Sequence, residues 1–344
     1  MTKSNPGNFF EDFEVGGVLA HATPLTVSEG DISLYRALTG ARQALYSSEP
    51  FAQGAGFDRL PIDPLLAFHV VFGKTVPDVS LNAVANLGYA DGRFLAPVYP
   101  GDTLKAVSDV IGKKENSNGK TGVVYVRTRG ENQRGETVLS YVRWVMVNKR
   151  DHGAPAPEPA VPDLPRAVDP ADLPVPAYSA WDDTLAGSAH RYDDYDIGEK
   201  IDHVDGMTVE EAEHQIATRL YQNTAKVHFD AHAQKESRFG KRLIYGGVVI
   251  SIARGLSFNG LANAAQMIAV NAGAHAGPLF AGDTVYAWSE VLDKAELSDT
   301  VGALRLRLVA VKDQSCESFP LRGEDGKYAP GVLLDFDYWA AIPR

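Results

Sequence analysis

Few residues in this chain have the types and spacing that chemistry requires, and most of them lie in its second half. His228 carries an imidazole that titrates near neutrality and can take up or release a proton there. Four positions on stands His232, the spacing of paired ligands on zinc-protease helices. Phe229, however, occupies the place where that motif needs its Glu, and no third ligand can be picked out, so no metal is expected. Cys316 is the single cysteine, which excludes an internal disulfide and a thiolate cage. No Gly-x-Gly-x-x-Gly turn follows a strand, so no redox cofactor is implied. Tyr245-Gly246-Gly247 opens a long apolar stretch. Backbone N–H groups at such a helix start stabilise developing negative charge, and glycine lets a ligand come close.

These residues need a scaffold, and length and composition bound what it can be. The chain has 344 residues, roughly twice a common single-domain length, so two domains are the starting expectation. Hydrophobic residues make up 44% and charged residues 22%, enough apolar material for a sizeable core. A net charge of -11 repels phosphate backbones, so no nucleic-acid partner is expected. No apolar h-region stands at the N-terminus and no run spans a bilayer, so the expectation is a soluble, cytoplasmic protein without a membrane partner.

The chain repeats itself. FEDFEVG from Phe10 returns as YDDYDIG from Tyr192, 182 positions on, and Gly73 meets Gly255 at the same offset. PVYPGDTL from Pro97 matches PLFAGDTV from Pro278 at 181, and GVVYVRT from Gly122 matches GALRLRL from Gly302 at 180. SYVRW, ending at Trp144, matches DFDYW, ending at Trp339, at 195. An offset that drifts slightly and jumps once describes a duplication with small indels and one insertion, placed near Gln314–Gly331. Residues 151–176 hold 8 of the 20 prolines and read as a semi-rigid spacer. The boundaries expected are therefore 8–150 for the first copy, 151–187 for the linker and 188–344 for the second copy.

Each copy has the same order of elements. A helix is expected from Thr26 or Thr208, where Glu29 or Glu211 completes a capping-box spacing. The apolar stretches from Asp63 and Tyr245 suit a central helix, and alternating segments such as VVYVRTR and LRLRLVAV suit strands. The class is α+β, with one helix-bearing antiparallel sheet per copy. In the first copy the central stretch opens with Asp63-Pro64-Leu65, where Pro64 has no N–H to offer and Asp63 would repel developing negative charge.

The loop LYQNTAKVH (Leu220 to His228), the repeated Pro-x-x-x-Gly-Asp-Thr segment and the duplication resemble the MaoC-like, or R-specific enoyl-CoA, hydratases. That family has a motif (Ser/Thr)-Gly-Asp-x-Asn-Pro-(Leu/Ile/Val)-His in this loop. The resemblance covers nearly the whole chain apart from the linker. It implies a double hot-dog fold and a CoA thioester as substrate, with a homodimer as the assembly. In the first copy the motif's Asp and His fall on Ala41 and Tyr46, which implies a catalytically silent half. In the second, the His is kept as His228 while the Asp position holds Asn223. The resemblance makes these two the catalytic pair, with Asn223 orienting water, while the helix-start argument makes Gly246, Gly247 and Tyr245 the expected oxyanion and thioester-binding set.

LYQNTAKVHFD and the long proline linker are most similar to the mesaconyl-CoA hydratase subgroup. That likeness implies interconversion of 2-methylfumaryl-CoA and (2R,3S)-β-methylmalyl-CoA in acetate assimilation. A dicarboxylic substrate asks for a cation, and Arg42, Arg219, Lys226 and Arg254 lie in or beside the motif loops and the central helix. Three alternatives stay open: a hydratase of broader enoyl-CoA range, a hot-dog thioesterase using Asp63 or Asp230, and an acyl-CoA-binding module without turnover.

Overall fold

The computed structural model describes residues 3–344. The first half runs β1 (Val18–Thr26), α1 (Glu29–Thr39), α2 (Ala44–Ser47), α3 (Glu49–Gly54), α4 (Pro64–Thr75), β2 (Ala83–Phe94), β3 (Thr103–Glu115), β4 (Thr121–Glu131) and β5 (Thr137–Asn148). After α5 (Asp183–Ala186) the second half repeats the order. It has β6 (Lys200–Thr208), α6 (Glu211–Leu220), α7 (Lys226–Phe229), α8 (Gly246–Leu256), α9 (Phe258–Leu261), β7 (Gln266–His275), β8 (Thr284–Glu296), β9 (Val301–Lys312) and β10 (Val332–Pro343).

All strand pairs are antiparallel, and the order is β1-β3-β4-β5-β2-β7-β10-β9-β8-β6, which reads alike from either end. The expected central helices are α4 and α8, each wrapped by the strands of its half, so the double hot-dog expectation holds. The expectation of one sheet per copy does not. β2 and β7 pair at Gly92↔Val270 and Arg93↔Ala269, which joins the halves into one ten-stranded sheet. α4 and α8 face each other across the core, where His69 Nε2 lies 2.7 Å from Ser251 Oγ.

Thr26 and Thr208 end strands rather than start helices. Each places its hydroxyl 2.8 Å from a threonine across the ladder, Thr103 and Thr284. The capping box falls two residues later, on Ser28 with Asp31, and Glu213 turns back to the Glu210 amide in the second half. Two registers satisfied that spacing, and the ladder claimed the earlier one.

The proline-rich segment is docked rather than a free spacer. Val168, Leu173 and Tyr178 are buried against Ile268, Ala269 and Trp339, and Trp339 Nε1 donates to the Val168 carbonyl at 3.2 Å. Neighbouring strand residues Ala340 and Ile342 belong to the helix-side core instead, so the segment covers the opposite face of the sheet. Apolar area on both faces is thereby removed from water. The insertion at 314–331 lies between β9 and β10 as a largely exposed excursion.

Candidate active site

The motif loop takes its shape from a turn and two anchors. α6 stops at Leu220, and Gln222 adopts a left-handed φ of 53°, which swings the chain back so that the Asn223 amide donates to the Thr218 carbonyl at 2.9 Å. Asn223 Oδ1 then accepts the Ala225 N–H at 3.1 Å, a side-chain turn that starts α7. Both anchors come from the other half. The Gly73 Cα of α4 packs directly beneath the Tyr221 carbonyl, with no room for a Cβ, and buried Lys74 donates to Gln222 Oε1.

His228 is clamped within this loop. The chain on either side is zipped to residue 243 by Leu243 N–H to Val227 O at 3.0 Å, and His228 Nδ1 lies 2.9 Å from the Leu243 carbonyl. A carbonyl only accepts, so Nδ1 carries the proton and Nε2 is a bare base. Burial pushes its pKa down from 6.5 to about 4, so the ring is neutral at physiological pH. His214 and His275 stand nearby, lowered to about 3 and about 4 by the same cause. Removing Asn223 from water likewise leaves it 1% exposed.

A cavity of about 470 Å³ joins these groups. Asn223, His228, Tyr245, Gly246 and His275 line it from the second half, and Phe72, Asn86, Tyr89 and Arg143 from the first. Gly246 and Gly247 are the first two residues of α8, whose N–H groups have no carbonyl a turn earlier to bond. Tyr245 cannot add its own amide as a donor, because that N–H is taken by His214 Nε2 at 2.9 Å. Its ring remains on the wall, 5.5 Å from the His228 ring centre, with a buried hydroxyl that has no partner. Packing also demands both glycines, since a Cβ would strike the His275 ring at Gly246 and the His69 and Tyr245 rings at Gly247.

None of the four expected cations reaches this wall. Arg42 lies over the Phe258 ring, 3.8 Å from Asp205, with its side chain largely exposed. Arg219 and Lys226 are exposed on the outer sides of α6 and α7. Arg254 is buried, but its guanidinium is committed to Ser257 Oγ and to the carbonyls of Ala264 and Ala265. His232 is exposed as well, and among the described residues no group of three or more His, Cys, Asp or Glu is placed to hold a metal.

The profile for mesaconyl-CoA hydratase matches residues 1–320. The mesaconyl-CoA hydratase of Cereibacter sphaeroides is 66% identical over 99% of this chain and 100% of its own. The β-methylmalyl-CoA dehydratase of Chloroflexus aurantiacus is 61% identical over 99% of both chains. A solved MaoC domain protein dehydratase from C. aurantiacus superposes with a TM-score of 0.98 at 60% identity, covering 100% of this chain and 99% of that one.

The chain belongs to the mesaconyl-CoA hydratase family.

For a member of that family, the contrast between the halves is physical as well as a matter of motif. The first half keeps a cavity of about 280 Å³ at the matching place, lined by Tyr46, Ile62, Pro64 and Ala67. Linker residues Pro174, Pro176 and Ala177 form part of its wall. Asp63 is half-buried at the α4 N-cap, where its carboxylate accepts the Leu65 N–H at 2.8 Å and loss of surrounding water raises its pKa to about 6. Asp230 accepts the Ala233 N–H and lines neither cavity. Among the described residues no Asp or Glu lines the 470 Å³ cavity, so neither Asp63 nor Asp230 is placed there as a thioesterase base.

Motif reasoning missed Arg143, Asn86, Tyr89, His214 and His275. For Arg143 the sequence did hold a signal: a charged residue between apolar neighbours in SYVRWVMVN, at a position where the second copy has Tyr338. Nothing local distinguishes the other four.

Proposed function

We propose that this member of the mesaconyl-CoA hydratase family reversibly adds water to 2-methylfumaryl-CoA, giving β-methylmalyl-CoA. The observation that supports this most strongly is the neutral, bare Nε2 of His228, on the same cavity as Asn223 and the start of α8. Asn223 holds the water through its amide. His228 Nε2 takes a proton from that water as its oxygen bonds to the β carbon. The π electrons move onto the thioester oxygen, where the Gly246 N–H and the α8 dipole stabilise the enolate, by about 3 kcal/mol for a well-aimed donor. The imidazolium then returns its proton to the α carbon. Water has been added across the double bond, and the base is regenerated.

Asn223 replaces the acid of the wider family, so His228 is the sole proton carrier in this scheme, and its depressed pKa suits the task. Protonated imidazole is unstable in this pocket and gives up its proton readily. Arg238, exposed at the rim of the cavity, is a suitable contact for the phosphates of CoA. The same reading carries a cytoplasmic homodimer. β1 and β6 each pair on one side only, and those are the sheet edges that a second copy would meet.

The test is a steady-state assay of mesaconyl-CoA, crotonyl-CoA and a saturated thioester, following both the conjugated absorbance and free thiol. Absorbance should fall without thiol release, mesaconyl-CoA should react fastest, and His228→Ala should slow turnover about 100-fold or more. Equal thiol release, or near-normal activity of the variant, would reject the assignment.

A further inference from the structure

Among the described residues, Arg143 is the charged side chain with the most buried donors left unpaired. It lies in β5 of the silent half, is fully buried, and contributes to the wall of the 470 Å³ cavity. Its Nη2 donates to Thr75 Oγ1 at 2.7 Å and lies 3.5 Å from Ser80 Oγ, while Nε and Nη1 are buried without a partner. The guanidinium lies over the Phe72 ring at 4.1 Å, and among the described residues no carboxylate forms an ion pair with it.

A cation taken out of water is costly unless an anion completes it. The cavity supplies none, since its lining includes no acidic side chain. Polar groups around Arg143 are unpaired as well. Tyr89 faces it in the β2–β5 ladder, Asn86 of β2 has both amide atoms buried and unpaired, and the Tyr245 hydroxyl is also unpaired. Phe72 links the two ends of the cavity, with its ring 5.6 Å from that of Tyr245, which in turn stands 5.5 Å from His228.

We infer that Arg143 determines substrate specificity by binding a carboxylate on the acyl chain of the CoA thioester. The inference rests on the hydratase reading and names the residue that selects for a dicarboxylic acyl group. The division of labour is then complete: the half without the histidine contributes the cation, and Arg143 takes the place of Tyr338 in the other copy. A guanidinium fork matches a carboxylate geometrically, and a neutral acyl chain would leave it buried and unpaired, which is how strong discrimination arises.

The test measures binding alone, with two saturated thioesters that cannot react. Methylsuccinyl-CoA carries the carboxylate, and 2-methylbutanoyl-CoA has a methyl group in its place. Native protein should bind the first more tightly, by about 30-fold or more, and Arg143→Gln should bring the ratio of the two Kd values close to one. Should the Gln variant fail to fold, Arg143→Lys carries the same test, because an ammonium offers no fork, and the ratio should fall about tenfold. An unchanged ratio, or an equal loss of affinity for both thioesters, would overturn the inference. Because no turnover is involved, failure of the His228 scheme leaves this result standing, and failure here leaves the hydration assay standing.

Discussion

At the scale of single residues, the proposed chemistry depends on keeping one imidazole neutral. His228 donates from Nδ1 to a backbone carbonyl, and burial lowers its pKa to about 4, so Nε2 is free of a proton through the whole neutral range. The sign follows directly: protonation disables the base, and a lowered pKa moves that loss toward acid. The kcat/KM profile for mesaconyl-CoA should therefore show no inflection between about pH 6 and 7, where an ordinary histidine titrates. An acid limb centred near 6.5 would show that the imidazole is far more exposed than its surroundings indicate. His228, Asn223 and the two glycines were legible because they sit in a contiguous motif or at a helix start. Arg143 showed only as a charge between apolar neighbours in β5, because its importance comes from donors left unpaired by neighbours distant in sequence.

At the scale of elements, the two central helices carry a reciprocal device. Gly73 of α4 packs under the Tyr221 carbonyl of the second half, and Gly255 of α8 packs under the Thr39 carbonyl of the first. Their common 182-residue offset marks one contact made twice across the pseudo-twofold relation. Alanine in a helix ordinarily gains about 1 kcal/mol over glycine, but an added Cβ would lie 1.8 Å from the Tyr221 oxygen and 2.4 Å from the Thr39 oxygen. Overpacking against backbone wins. Gly73→Ala and Gly255→Ala should each destabilise the protein by roughly 1–3 kcal/mol in urea unfolding. Only Gly73→Ala should also depress kcat strongly, because Tyr221 begins the loop that holds Asn223 and His228. Equal kcat losses in the two variants would contradict that assignment. The helices themselves were legible from their apolar length, whereas the caps were displaced by two residues because strand pairing outranked a local hydroxyl preference.

Over the whole molecule, burial of neutral histidines sets the acid limit. His69 and His214 are lowered to about 3, and His203, His228 and His275 to about 4, against 6.5 for a free ring. Unfolded chain binds these protons below about pH 6.5 and the folded protein does not, so stability present above that pH is lost as pH falls toward 4, by up to about 1.4 kcal/mol per unit for each ring. Asp63, raised to about 6, works in the opposite direction, but it is one group against five. The urea midpoint should decline steadily from pH 7 to pH 5, and a flat or rising midpoint would contradict this account. The same close packing explains the docked linker, which covers apolar residues on the sheet's outer face and walls the cavity of the first half.

The duplication, the α+β class and the central helices were determined by sequence alone, and so was the position of the motif loop, because repeat register, hydrophobic period and motif spacing can be read along the chain. Tertiary structure decided the rest. The β2–β7 seam fused two sheets into one, laid the motif loop of one half on the helix of the other, and turned Arg143 toward the histidine's cavity while leaving Arg42, Arg219, Lys226 and Arg254 outside it. Which side chains share a cavity depends on how two surfaces pack across a long separation in sequence, and no spacing within either copy encodes that.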